Sequence, residues 1–145
     1  MVIREAGVLF RGFTLVCSSN LQIGKENVNT AAFDDDLRSG LLTAIITFAE
    51  TAFSSSMVEY FEGKKFVIAF FKTKIQPGDS KGLELLISYA IFDNKKKIDK
   101  HVHKVIQPLL SQCISSFKSE FEGTNFTEVA QFNKFKPKLE KLFSF

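Results

Sequence analysis

Six consecutive apolar residues, Phe66-Val67-Ile68-Ala69-Phe70-Phe71, constrain this chain more than any other feature. They lie between the turn signal Gly63-Lys64 and the polar loop IQPGDSKG at 75–82, which is the length and punctuation of a strand spanning 65–73. Successive side chains of a strand point to opposite faces of its sheet. A strand that is apolar on both faces must be covered on both. The chain is therefore expected to build a sheet with a layer on each side and to use this run as a central strand.

The remaining elements are read from the same periodicities. Residues 6–18, AGVLFRGFTLVCS, alternate as Val8, Phe10 and then Phe13, Leu15, Cys17 around Arg11-Gly12, which predicts a hairpin with Gly12 at the positive φ of the turn. Ser18 to Thr30 reads as a loop. From Ala32 to Phe53 the period becomes helical, with Phe33, Leu37, Leu41, Ala44, Ile45, Phe48 and Ala52 at three- and four-residue steps. Asp34, Asp35 and Asp36 fall in or near its first turn, where carboxylates favour the positive end of the helix dipole. Met57–Glu62 reads as a short strand ending at the hairpin signal Gly63-Lys64, and Leu83–Phe92 as another strand, ended by Asp93-Asn94.

Two helices are expected to close the chain. The first carries Ile98, Val102, Val105, Ile106, Leu109, Cys113, Ile114, Phe117 and Phe121 on one face, with a kink at Pro108 and a stop at Gly123. The second is expected from Asn125, with Asn125 and Glu128 as a capping box. Its apolar side is Phe126, Val129, Phe132, Leu139, Leu142 and Phe143, and Pro137 bends or splits it. At 145 residues, with no repeat or low-complexity linker, a single domain over 1–145 is expected.

The resulting order, β-β-α-β-β-β-α-α, resembles that of the longin-like superfamily across nearly the whole chain. Residues 33–50, FDDDLRSGLLTAIITFAE, also resemble the first helix of archaeal longin-like proteins, in which a small-residue step precedes an apolar run and an acidic end. The resemblance implies an α+β fold with a five-stranded antiparallel sheet and helices on both faces. It implies an assembly role as well, since longin-like domains serve in trafficking SNAREs, adaptor-complex small subunits, tethering subunits and small-GTPase regulators. Neither a coiled-coil SNARE segment nor a tail anchor is expected, as the sequence stops at Phe145, nor is an opening helix before the hairpin as in the related roadblock domains. The expectation is a free-standing module.

The sequence carries no recognisable catalytic set, cofactor motif or metal motif, so no enzyme is expected. His101 and His103 are the only histidines, and two positions apart on a helix they point about 200° from each other, unable to share a metal. Cys113 lies roughly 15 Å along the same helix from His103, too far for a dyad. The nucleotide cradles G-x-x-x-x-G-K-[ST] and G-x-G-x-x-G are missing, as is a G-x-S-x-G around Ser54–Ser56. Glu59 and Glu62 have odd spacing on a strand and point to opposite faces. Cys17 and Cys113 fall in apolar patterns and read as core thiols.

Composition closes other classes. Phe occurs 17 times beside 2 Tyr and no Trp, which reads as core filling. The start, MVIREAGVLF, lacks the pattern of a signal peptide, and no apolar run approaches the roughly 20 residues that span a bilayer, so a cytoplasmic location is expected. Net charge is +3, with lysines gathered at Lys95, Lys96, Lys97, Lys100 and Lys104 and again at Lys134, Lys136, Lys138 and Lys141. These read as solvated faces, or as basic patches for an acidic partner or for peripheral contact with an anionic membrane. Arginine is scarce and no reader motif appears, so no nucleic-acid partner is expected.

The sharpest functional signal is the width of the apolar arc on the 32–53 helix. At about 100° per residue the core-facing set occupies about 120°, and a second row of Leu42, Ile46, Ala49 and Phe53 lies beside it at roughly 160–220°. Together they exceed the ~100° stripe that a surface helix needs. Either the closing helices or the 18–30 loop wrap over the second row, or it is a subunit interface. In longin and roadblock relatives the corresponding helix and its neighbouring edge strand often form a dimer. The expected partner interface is thus Leu42, Ile46, Ala49, Phe53, Met57, Glu59 and Phe61, in a homodimer or a heterodimer with a related domain, serving as a platform for a small GTPase or trafficking complex. The competing expectation is a small-molecule or lipid-sensing domain with a Phe-lined pocket.

Overall fold

The computed structural model describes residues 3–11, 13–19 and 59–143. The expected helix at 32–53, its acidic first turn, Ser54–Ser56, Met57 and the rest of the loop beyond Ser19 lie outside these residues. The described strands are β1 (Ile3–Phe10), β2 (Phe13–Ser19), β3 (Glu59–Glu62), β4 (Phe66–Ile75) and β5 (Glu84–Asp93). They form one antiparallel sheet in the order β2-β1-β5-β4-β3. The fold is α+β, with two helical arms after the sheet packed on one of its faces.

β5 occupies the middle, paired with β1 on one side and β4 on the other. The FVIAFF strand is interior but second from the edge. Its two-faced burial is as the alternation demands: Val67, Ala69 and Phe71 face the helices, whereas Ile68 and Phe70 join a separate cluster on the opposite face. The β1–β2 hairpin forms where expected, although Arg11 itself takes a positive φ of 50° and Gly12 lies outside the described residues. The β3–β4 turn sits one residue later than the Gly63-Lys64 signal: the Gly63 N–H donates to the Phe66 carbonyl at 2.8 Å, leaving Lys64-Lys65 as the loop.

The first arm runs as α1 (Ile98–His101), a π-turn (Val102–Ile106) and α2 (Gln107–Phe121). The expected irregularity at Pro108 is expressed ahead of the proline. The Gln107 N–H reaches back five residues to the Val102 carbonyl, and the next residue has no N–H to continue the α ladder. This change of phase carries Val105 off the apolar face, where it stands 43% exposed. Gly123 stops the arm at φ +87°, as expected.

The second arm is split. Asn125 does not form the capping box: its side-chain oxygen accepts from the backbone N–H and hydroxyl of Thr127, and Glu128 makes no side-chain cap. A 3-10 segment follows (Val129–Phe135), then α3 (Lys136–Phe143), with Pro137 in its first turn. The 3-10 period of three residues per turn aligns Phe132 with Phe135 and buries both, whereas Val129, the first residue of the segment, is exposed.

α2 packs over β4 and β5, and α3 over β1 and β2. A row of small residues, Ala6, Ala90 and Ala69, runs in register across β1, β5 and β4 on this face and lets helix backbone approach. At one end of the face, Phe10, Phe117, Phe121, Phe126, Phe132 and Phe135 interlock, with centroid separations from 4.7 to 6.3 Å. The high Phe content is spent here as core. No described helix is long and apolar enough to cross a membrane.

Candidate interaction surface

The opposite face of the sheet carries Leu9, Ile68, Phe70, Ile87, Tyr89 and Ile91, all buried, with Phe61, Phe66 and Leu85 partly buried around them. No described helix lies on it. The residues alternate with those facing α2 and α3, so strand geometry alone separates the two clusters. Tyr89 is fully buried on this face, and its hydroxyl donates to the Glu5 carboxylate. Gly7 makes that placement possible. A Cβ there would stand 2.6 Å from the Val16 carbonyl oxygen and 2.9 Å from the Tyr89 ring, so only hydrogen fits between β2 and the aromatic side chain.

β3 forms the end of the sheet on the β4 side and has no second strand neighbour among the described residues. It has four residues, Glu-Tyr-Phe-Glu, which is the short, charged form that edge strands take to discourage indiscriminate pairing. Phe61 stacks on Phe70 with centroids 5.9 Å apart, so it extends the second apolar face to the sheet edge. Tyr60 points the other way, and its hydroxyl donates to Asp99 at 3.0 Å, tying the edge to α1. Of the expected interface, Glu59 and Phe61 thus belong to one edge strand, with Glu59 pairing with Phe70 through the backbone. Leu42, Ile46, Ala49, Phe53 and Met57 lie outside the described residues.

The groups considered for chemistry are dispersed. His101 lies beside the Phe92 ring, its Nε2 buried without a hydrogen-bond partner, and burial followed by the charge of Lys95 pushes its pKa down. His103 is exposed on the opposite side of the turn, its Nδ1 2.9 Å from the Asp99 carbonyl oxygen. Burial pushes the Cys113 thiol up to about 12, the state of an unreactive core thiol. No group of three His, Cys, Asp or Glu side chains among the described residues could hold a metal ion. A shallow polar cleft of about 470 Å³ between α2 and α3 is lined by Ser115, Ser116, Ser119, Glu120 and Lys138, and Lys138 donates to Glu120 across it at 2.6 Å.

Comparison with protein-family models, curated proteins and solved structures finds no match.

One cluster escaped sequence reasoning. Arg11, at the tip of the first hairpin, grips Glu84 through two hydrogen bonds of 2.9 and 2.6 Å and Asp79 through a third of 2.8 Å. Asp79 also accepts the Phe126 N–H at 3.1 Å. The guanidinium holds both carboxyl groups below their ordinary pKa, with side-chain hydrogen bonding the largest cause at each. Arg11 lies 68 residues from Asp79 and 73 from Glu84 in sequence, and no local pattern marks the cluster. They clamp the hairpin tip to the β4–β5 loop and the start of the second arm, which is a structural task.

Proposed function

We propose that the chain is a non-catalytic, longin-like protein-interaction module acting as a dimeric platform for a small GTPase or membrane-trafficking complex. The observation that carries this reading is the short end strand β3, whose Phe61 is only partly buried and stacks on Phe70, whereas the residues behind it on that face of the sheet are already buried. Its support from the sequence is the second apolar row at Leu42, Ile46, Ala49 and Phe53, next in the chain to that edge. An edge strand beside an apolar helix row offers a partner both backbone pairing and apolar burial. About 800 Å² per subunit would place such an interface among specific complexes. Helices of the first and last parts of the chain on opposite faces of the sheet, as in longin-like domains, belong to the same reading.

Light scattering coupled to size exclusion tests it. The wild-type chain is expected to run as a dimer, and Ile46→Asp and Phe61→Asp as monomers that keep the wild-type circular dichroism spectrum. A wild type that stays monomeric at high concentration removes the homodimer. Affinity capture with the wild type and the same variants then decides whether a related domain or a GTPase takes the surface.

The six interlocked rings at one end of the helix face fill their space with one another, which favours core over a Phe-lined pocket there. A small molecule retained in native mass spectra of the purified chain would reverse that preference.

A further inference from the structure

The lysine run at 95–97 is half of a larger surface. Asn94, between β5 and α1, joins two turns that are 30 residues apart in sequence. Its N–H donates to the Lys65 carbonyl at 2.8 Å, and its side-chain amide donates to the Gly63 carbonyl at 2.7 Å and to Glu62 at 3.1 Å. Its side-chain oxygen accepts the Lys95 N–H at 2.8 Å. The tip of the β3–β4 hairpin, Lys64-Lys65, is thereby held against Lys95-Lys96-Lys97, and Lys100 and Lys104 continue along the helical arm.

All seven lysines are exposed. Among the described residues no ion pair joins any of them to a carboxylate. The nearby acids are already engaged: Asp93 with Arg4, Glu62 with Asn94, and Asp99 with Tyr60 and His103. Seven unpaired ammonium groups on one end of the sheet repel one another. An anionic surface would relieve that cost.

We propose that this end of the sheet, formed by Lys64, Lys65, Lys95, Lys96, Lys97, Lys100 and Lys104, binds the anionic face of a lipid bilayer. The composition selects this partner. Lysine is a compact point charge on a flexible stem, suited to a diffuse field of headgroups, whereas fixed recognition of a single phosphate favours the planar fork of arginine. The described arginines, Arg4 and Arg11, are both committed to carboxylates. Of the described aromatic side chains near the surface, Tyr60 has its hydroxyl tied down at Asp99 and Phe66 packs into the apolar cluster on the other face of the sheet, so neither is offered as a ring platform of the kind on which single-stranded nucleic acid stacks. Four to eight clustered basic residues are the number that suffices for binding to acidic lipid. This surface does not depend on the dimer reading, since none of its residues belongs to the Phe61 face.

Vesicle flotation with the intact chain tests the assignment, comparing phosphatidylcholine vesicles with vesicles that also contain phosphatidylserine. The wild type is expected to float with the acidic vesicles only and to be released by salt. Lys64→Gln/Lys65→Gln and Lys95→Gln/Lys96→Gln should each weaken partitioning by roughly thirty-fold, the factor corresponding to ~1 kcal/mol per lysine near the membrane. Lys136→Gln/Lys141→Gln, with the same change in net charge on α3, should leave it within about two-fold. All six positions are exposed, so thermal melts of the variants should match the wild type. Absence of binding to acidic vesicles at low salt overturns the proposal. So does an equal loss in the α3 variant, or tighter binding to a single-stranded RNA than to the vesicles.

Discussion

The hydroxyl of Ser88, on the central strand, donates to the carbonyl of Leu110 in α2 at 3.0 Å inside the core. This bond crosses the layer between sheet and helix at a position where neither partner meets water, and the small side chain lets the helix lie close to β5. Ser88→Ala keeps the fit and removes the bond, and should cost about 1 kcal/mol. Ser88→Leu adds bulk where α2 needs room, and should cost about 1–3 kcal/mol. Urea denaturation of both variants checks the order.

Two glycines separate steric need from mere flexibility. Gly7→Ala places a methyl against the Val16 carbonyl and the Tyr89 ring, and since the first is backbone of a paired strand, relief requires the sheet to shift. The expected loss is about 1–3 kcal/mol. Gly82→Ala meets nothing within 4 Å and has no positive φ to preserve, so it should lie between neutral and about 1 kcal/mol stabilising. Thermal melts of the pair distinguish the two cases.

The clamp of Arg11 on Asp79 and Glu84 predicts an acid-dependent contribution. Both carboxyl groups titrate lower when folded than their ordinary values of 3.8 and 4.5, so the folded state binds fewer protons in that range. The resulting stabilisation is present in full above the ordinary carboxylate values and is lost as pH falls through the depressed ones. Arg11→Gln should therefore be less stable than wild type near neutral pH, and the two should converge in acid. Denaturant midpoints across that range test this, and parallel curves at all pH values would refute it.

His101 acts in the same direction through a different cause. Its imidazole is kept neutral by burial against Phe92, so folding opposes its protonation. Stability should fall as pH drops below the ordinary histidine value of 6.5, and His101→Phe should remove that slope. The NMR titration of the ring should show a midpoint below that ordinary value.

Cys113 should resist thiol reagents at neutral and mildly alkaline pH, because its thiolate is nearly unpopulated below a pKa of about 12. In a Cys17→Ser background, labelling of Cys113 should proceed at the rate of global unfolding and accelerate with urea. Rapid labelling of the folded chain would show that α2 opens locally.

Much of the fold is legible where a side-chain pattern is local. FVIAFF announced a strand buried on both faces, Arg11-Gly12 announced the hairpin, and Gly123 announced the end of α2, since alternation and positive φ depend only on neighbouring residues. Val105 was misplaced on an apolar face because a π-turn alters the helical period that the pattern assumed, and Val129 because the helical segment begins at that residue and not at Asn125. The candidate interface was legible only in part. Phe61 and Glu59 share the edge strand, whereas the helical residues assigned to it lie outside the described part of the chain.

The sequence by itself thus determined which segments become strands and helical arms and which side chains are apolar enough to be buried, because these follow from periodicity and hydrophobicity within a few turns. Tertiary structure decided where β5 lies, which face holds each cluster, and that FVIAFF is interior without being central. It also decided that Lys64 and Lys65 meet Lys95–Lys97 through Asn94, and that Arg11 meets Asp79 and Glu84. These relations join residues some 30 to 70 positions apart, and strand pairing in three dimensions is the only thing that brings such residues together.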